Sequence, residues 1–489
     1  MKKSLVALAV LAASGAYAQS SVTLFGIVEA TTDIGYNRKV ESTTNTNGFA
    51  APGVAAATSP SFTAPQYRNS ANTAPGNILT FGPAVASGSV VVRNEQKNNM
   101  RIQDGSDQGS GSSRVGFRGT EDLGGGLKAN FLLEMGLRID DGCTTLSATA
   151  PGAAACDNGG NSANSGGSTF GRNAWGGLSG AFGEVRLGRQ VLGSFGVQGN
   201  SGSSGASNGL YDATTATLLP MGGVRFSNAI RYLSPNFGGF TGSLMLAAPE
   251  TGGDTSTNTT STATGGAAVV NTTSAGRRTG VDLALEYANG PAYIGFGYNI
   301  RDAANTGAES LASFSRVNSG SPGKVTAYTL GGSYDLGVVK PFINYTRQNT
   351  QSNRTDSLVT GVAATSNSVA TGGDATTRAL SIGLRAPVGA FTVIAGYGRA
   401  ITSGSANSLV TESTGNTSYG LRNEQRQTAF QLGAQYALSK RTLVEANYGQ
   451  NRLENNTDST VVAPTTSGTQ SARANTRISA FNVGLKHSF

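Results

Sequence analysis

Arg477-Ile478-Ser479-Ala480-Phe481-Asn482-Val483-Gly484-Leu485-Lys486-His487-Ser488-Phe489 closes the chain. Counting back in twos from Phe489 gives His487, Leu485, Val483 and Phe481, apolar apart from one imidazole. The intervening Ser488, Lys486, Gly484 and Asn482 are polar or small. A period of two marks a strand with one oily and one wet face. A terminal strand with no partner frays, so an aromatic end placed here calls for a second edge to pair with. A transmembrane barrel supplies one, because its last strand closes the cylinder and its aromatic end sits in an interfacial girdle. The stretch predicts a β-barrel that lines a pore.

The opposite end agrees. Residues 1–18 read as an export signal: Lys2 and Lys3, an apolar run from Leu5 to Ala13, and the small-residue site Ala16-Tyr17-Ala18 before Gln19. That run is too short to cross a bilayer as a helix. Its removal leaves residues 19–489 as one expected barrel domain, with the formal charge of +8 reduced by the two lysines. No other stretch holds close to twenty apolar residues, so no transmembrane helix is expected. Hydrophobic residues make up 38% and charged residues 13%. A soluble protein of this length needs several cores with clear apolar runs, whereas a wide, wet barrel needs oil only at alternate positions. The mild basic excess names no partner, and nothing points to nucleic acid.

Cys143 and Cys156 are the two cysteines, in a Gly/Ala/Asn-rich stretch. In an exported chain the natural expectation is one disulfide stapling that loop, worth about 3 kcal/mol through loop closure. The spacing also suits a metal site, but no histidine or third cysteine is near. No metal or cofactor is expected.

From Val22 onward, two-faced segments alternate with connections of two lengths. Seven are short: Glu121–Gly126, Gly180–Gly183, Pro235–Gly239, Asn289–Pro291, Asp335–Gly337, Pro387–Ala390 and Leu438–Arg441. Each carries the Gly, Pro, Asn, Asp or Ser of a tight turn. Eight are long and polar, about 37–111, 141–168, 191–224, 250–277, 303–322, 351–375, 403–425 and 456–474. Together they join sixteen antiparallel strands, with both ends of the domain on the short-turn side. Val281, Leu283, Leu285 and Tyr287 share one face of a strand against Asp282, Ala284 and Glu286. Tyr287, Tyr334, Tyr436 and Phe489 gather beside the short turns, as an aromatic girdle does. A soluble β-sandwich also alternates, but seldom sustains long and short connections in turn through a whole chain.

An enzyme needs a nucleophile and a base in hydrogen-bond reach. The one histidine, His487, falls on the oily face of the last strand, and the Glu121-Asp122 pair sits in a tight turn. No phosphate-binding glycine loop leads into a helix. Adhesion through the long Thr/Asn/Ser loops is a compatible second role.

Ser20–Glu29, Ser113–Gly124, Gly183–Gln190, Tyr436–Thr442 and Val483–Phe489 resemble, in order, the general porins of Gram-negative β-proteobacteria. The resemblance spans the expected mature domain. It implies a sixteen-stranded homotrimer in the outer membrane, among its lipids and lipopolysaccharide. It also implies a third loop, here 191–224, folded into the barrel, and passive passage of ions and small hydrophilic solutes. Phe489 would then be the signal read by the barrel-assembly machinery. The long first loop, 37–111, departs from the family pattern and is placed to cover the mouth.

Such porins face the infolded loop with arginines. The matching positions are Arg114, Arg189 and Arg231, and Arg118 shares the phase of Arg114. Alternation turns Arg114 and Arg231 inward, opposite Val115, Phe117, Ile230 and Tyr232. Arg189 alternates with Val185 and Leu187, and needs a bulge, or a position beyond the lipid-facing segment, to face the lumen. Salt bridges to Glu29, Glu134 or Glu286 are the bland alternative for each arginine. The loop holds one acid, Asp212, and Leu219-Pro220-Met221-Gly222-Gly223 carries an apolar residue where cation-preferring relatives carry an acid. The expected pore prefers anions, or at most weakly prefers cations.

Overall fold

The computed structural model describes residues 21–47, 88–103, 113–137, 139, 169–201, 225–248, 255–262, 268–275, 279–302, 324–351, 367–370, 374–412, 415–462 and 467–489. The export signal, Cys143, Cys156 and Asp212 lie outside them. The first strands are β1 (Ser21–Asn47), β2 (Gly88–Gln103), β3 (Arg114–Gly124), β4 (Leu127–Gly136), β5 (Asn173–Gly180) and β6 (Gly183–Val191), followed by helix α1 (Gly193–Asn200). Next come β7 (Arg225–Leu233), β8 (Phe240–Ala247), β9 (Thr255–Thr262), β10 (Ala268–Ala275), β11 (Gly280–Asn289), β12 (Ala292–Asp302) and β13 (Lys324–Tyr334). The last are β14 (Lys340–Gln351), β15 (Asn367–Ala370), β16 (Asp374–Val388), β17 (Phe391–Glu412), β18 (Gly415–Ala437), β19 (Thr442–Val462) and β20 (Ser467–Ser488).

Sixteen of these strands close a ring, as the count of turns and loops requires. The order is β1, β3 to β8, β11 to β14, β16 to β20 and back to β1, with the ladders antiparallel. Of the other four, β2 and β15 extend the same sheet along the far ends of β1 and β17, beyond β3 and β16, while β9 and β10 form a separate hairpin. All seven short turns fall where the sequence puts them. In the first, Asp122 Oδ1 accepts the Gly124 amide at 2.9 Å, and Gly124, Gly125 and Gly126 all take positive φ, which side chains resist.

The long connections are shorter than the polar stretches suggest. β17 runs to Glu412 and β18 starts at Gly415, so most of 403–425 is strand, and β19 and β20 likewise absorb much of 456–474. Outside the bilayer, Thr-, Ser- and Asn-rich sequence still pairs its backbone across a hairpin. Polarity there marks the solvent, not the end of a strand.

Alternation sorts the side chains. Leu24, Phe117, Leu187, Leu285, Ile382 and Leu485 are exposed on the outer face, while Glu29, Asp282, Asn344, Glu445 and Asn482 are buried on the inner one. The inner polar groups bind one another: Asn447 Nδ2 donates to Asn482 Oδ1 at 3.2 Å, and the Thr377 and Thr402 hydroxyls lie 2.8 Å apart. A girdle forms beside the short turns, where Phe240 packs on Tyr287 at 4.5 Å and Phe391 on Tyr436 at 5.0 Å. His487 faces outward, its Nδ1 2.8 Å from the Thr442 hydroxyl.

The seam between β20 and β1 uses the terminal aromatic. Phe489 and Gly26 exchange two backbone hydrogen bonds of 3.1 Å. The Phe489 ring lies over the glycine, so a Cβ on Gly26 would sit 2.3 Å from Cζ of that ring and 2.7 Å from the Arg114 carbonyl oxygen. A methyl group there overpacks the seam, at a cost of about 1–3 kcal/mol. Gly26→Ala is therefore expected to lower the midpoint of urea unfolding of the refolded barrel, followed by the loss of its heat-modifiable gel mobility. Gly332→Ala, where the nearest atom to a new Cβ is 3.6 Å away, is expected to leave that midpoint nearly unchanged.

Candidate pore constriction

The inner wall of β3 to β7 carries a strip of arginines. Arg114 and Arg118 face inward from β3, paired in register with Ile27 and Thr23 of β1. Arg114 Nε lies 4.0 Å from Glu134 Oε1, and Arg172 binds the same carboxylate oxygen. The salt-bridge alternative thus holds in part for Arg114, since one glutamate serves two cations. Arg118 has no carboxylate partner among the described residues; its guanidinium sits 5.3 Å over the Phe25 ring.

Arg186 and Arg231 are direct cross-strand neighbours on β6 and β7. Like charges so placed repel, and the surroundings hold them there. Arg186 stacks on Trp175 at 4.1 Å and bonds Glu184 Oε2 at 2.6 Å. Arg231 donates to the Val191 carbonyl at 3.1 Å and to Ser243 Oγ at 3.2 Å.

Arg189 does not join them. The irregularity that could have turned it inward is present, but two residues of β7, Ser227 and Asn228, face the single Arg189 of β6. Asn228 of β7 and Gly188 of β6 both take positive φ (51° and 126°). The extra residue lies on β7, however, and the β5–β6 register runs unbroken through Arg189, so β7 is the bulged strand and β6 keeps its phase. Arg189 pairs in register with Ala174, on the side of exposed Leu187. Its guanidinium donates to the Gly171 carbonyl and to Ser227 Oγ, each at 2.6 Å.

The third long connection begins inside the ring. Leu192 precedes α1 without offering a capping side chain. A wall residue caps the helix instead: Asp282 of β11 accepts the amides of Gly193 at 2.7 Å and Ser194 at 3.2 Å. A carboxylate at a helix N-terminus meets both unsatisfied N–H groups and the positive end of the dipole. Further along, Gln198 donates to Thr346 Oγ1 at 3.2 Å, Asn200 to Glu286 Oε2 at 2.6 Å and Ser201 to Asn344 Oδ1 at 2.9 Å. Glycines on the facing wall make room: a Cβ on Gly297 would lie 2.6 Å from Ser194 Cα. Residues 202–224 lie outside the described residues, with Asp212 among them.

The alternation already carried Arg114, Arg118 and Arg231. Arg186 had the same signal, since it opposes Val185 and Leu187. Arg172 and Trp175 border a long polar stretch, where the phase is hard to set. Asp282 as a cap in trans leaves no local sequence trace.

A closed antiparallel ring with an oily outside, a polar inside and a wall-bound helix at its third long connection defines a membrane channel. The comparisons give the family: a model of the Gram-negative porin family matches residues 4–456, and the chain belongs to that family in the outer membrane. It is 34% identical to outer membrane porin protein 32 of Delftia acidovorans over 49% of this chain, spanning 48% of that relative's length. It is 30% identical to an outer membrane porin protein of Bordetella pertussis, over 71% of this chain and 69% of that one. A loop-deleted form of OmpT, an outer membrane protein of Vibrio cholerae, superposes with a TM-score of 0.50 at 13% identity, covering 96% of this chain and 99% of that one.

Removing the cap in trans leaves two helix amides without a partner, at about 1–3 kcal/mol each. Asp282→Ala is expected to loosen α1 from the wall, raising open-channel current noise in planar bilayers and speeding protease cleavage within 191–224. Unchanged noise and cleavage would mean that the other wall contacts suffice.

Proposed function

We propose that the chain is a homotrimeric, water-filled diffusion channel for ions and small hydrophilic solutes, preferring anions. Residues 19–489 are its mature barrel, freed of the signal at 1–18, and Cys143 and Cys156 staple its second long connection. The barrel-assembly machinery reads Phe489, and lipopolysaccharide surrounds the outer rim. A passive pore has no catalytic group, and its selectivity is the field at its narrowest point.

One observation carries the anion preference: Arg186 and Arg231 lie side by side on the inner wall, with Arg118 on the same strip, and among the described residues only Arg186 of the three has a carboxylate partner. The charges of Asp282, Glu286 and Glu184 reach Arg231, but none of these acids forms an ion pair with it among the described residues, and Glu286 bonds Asn200 and Tyr293. Glu29 pairs with Lys486 at 3.2 Å, Glu134 with Arg172, and Asp282 with the helix amides. Two unit charges 4 Å apart interact by about 1 kcal/mol in bulk water and several-fold more at reduced dielectric. A few unmatched cations at a constriction therefore decide which ion enters, and Asp212 is the one acid of 191–224 available to offset them.

The reversal potential under a KCl gradient tests this. Wild-type pores are expected to favour chloride. Arg118→Ala with Arg186→Ala, neither of which bonds the α1 segment, should move the reversal potential toward potassium, most at low salt where the screening length is longest. Arg114→Ala with Arg231→Ala should do the same and also widen the eyelet. A strongly cation-selective wild type, or selectivity untouched in both variants, overturns the proposal.

A further inference from the structure

The outer face of β14, β16 and β17 ends in three arginines. Moving away from the short turns, Ile343, Ile382 and Tyr397 form one exposed apolar row, and Tyr345, Leu380 and Arg399 form the next. One step further, Arg347 and Arg378 are direct cross-strand partners. Arg399 pairs with Leu380, which makes it the diagonal neighbour of Arg378. Like charges directly opposite on one face destabilise a ladder.

The protein answers such charges elsewhere. On neighbouring β18 and β19, at the same end of the barrel, Arg426 bonds Glu424 at 2.5 Å and Arg452 bonds Glu454 at 2.7 Å. Arg347, by contrast, donates to Asn349 Oδ1 at 3.4 Å, and Arg378 and Arg399 make no ion pair or side-chain hydrogen bond among the described residues.

Their level in the membrane is set by the strand. Arg399 lies eight residues beyond Phe391 at the short turn. At about 3.3 Å per residue and a tilt of about 40°, that is about 20 Å of an apolar band about 25 Å tall. The Tyr328–Tyr345 pair, with centroids 6.4 Å apart, marks the same level from the adjacent ladder. An anion held here must therefore sit at the hydrocarbon boundary, which is where a lipid carries its phosphate. Three guanidinium groups match a phosphate's three oxygens and double charge better than a carboxylate, because each fork can bond two oxygens.

We propose that Arg347, Arg378 and Arg399 form an outward-facing site for the phosphate of a phosphorylated glycolipid in the outer leaflet. The inference rests on the barrel lying in the outer membrane, and not on the ion preference of its lumen.

Native mass spectrometry of the folded protein in detergent, mixed with lipopolysaccharide or with its dephosphorylated form, tests it. Wild type should retain the phosphorylated lipid and not the other. Arg378→Gln with Arg399→Gln should weaken retention about tenfold or more, as the loss of charge-assisted bonds implies. The same change at Arg426 and Arg452, whose cations are already paired, should alter it far less. Single-channel conductance should stay at the wild-type value in both variants, which separates failure of this site from failure of the channel itself. Equal retention of the dephosphorylated lipid, retention unaffected by Arg378→Gln with Arg399→Gln, or displacement of the lipid by an equal concentration of inorganic phosphate would each overturn the proposal. So would dissociation of the assembly by these substitutions, which would assign the arginines to contact between copies of the chain.

Discussion

A hydrocarbon interior leaves no water to satisfy an unpaired backbone, so no edge strand can stand open within it. The rest of this structure depends on that constraint. Fifteen ladders can form between neighbours in the sequence or nearly so, but the ring exists only when β20 finds β1, the most distant pairing in the chain. The seam is fixed over a long register from Ile27↔Ser488 to Asn47↔Thr469, and its lower end is locked by Phe489 lying on Gly26. One strand must therefore end in a ring and the other must offer no side chain beneath it.

Once the ring is closed, the pleat does the remaining sorting. Each residue faces oil or water by parity alone, so a single sequence writes a membrane surface and a lumen in alternate letters. The same rule explains why ordinary core logic is inverted here. Many of the buried residues are Asn, Thr, Gln and Glu, several of them bound to one another, beside a small apolar cluster of Leu192, Phe226, Ala229 and Met245. Most large Leu, Ile and Phe side chains lie exposed on the outside. The inner wall then serves as a scaffold for the helix-bearing connection, which Asp282, Asn344, Thr346 and Glu286 hold from four separate side chains.

Much of this was legible in the sequence because parity and turn chemistry are local. The seven short turns, the count of sixteen, the outward His487 and the inward Arg114, Arg118 and Arg231 all follow from periods of two and from Gly, Pro and Asp placement. What escaped depends on partners. The far ends of β17 and β18 looked like loop because hairpin pairing, and not oil, stabilises them. Parity sets Arg189 on the outer face, and the bulge beside it lies on the neighbouring strand, which does not reverse its phase. Trp175 and Asp282 acquire their roles only when Arg186 and α1 are brought to them across the sheet.

The central claim joins phase to field: the wall beside Arg186 faces water and is positive. Thiol labelling in planar bilayers tests both at once. With Cys143 and Cys156 changed to serine, Trp175→Cys places a thiol on the inner face and Ala174→Cys places one on the outer face, one residue away. The account predicts that at position 175 an anionic thiosulfonate reacts faster than a cationic one of equal size and lowers the single-channel current, while position 174 gives no block. Block at position 174, or a faster reaction of the cationic reagent at position 175, would contradict it.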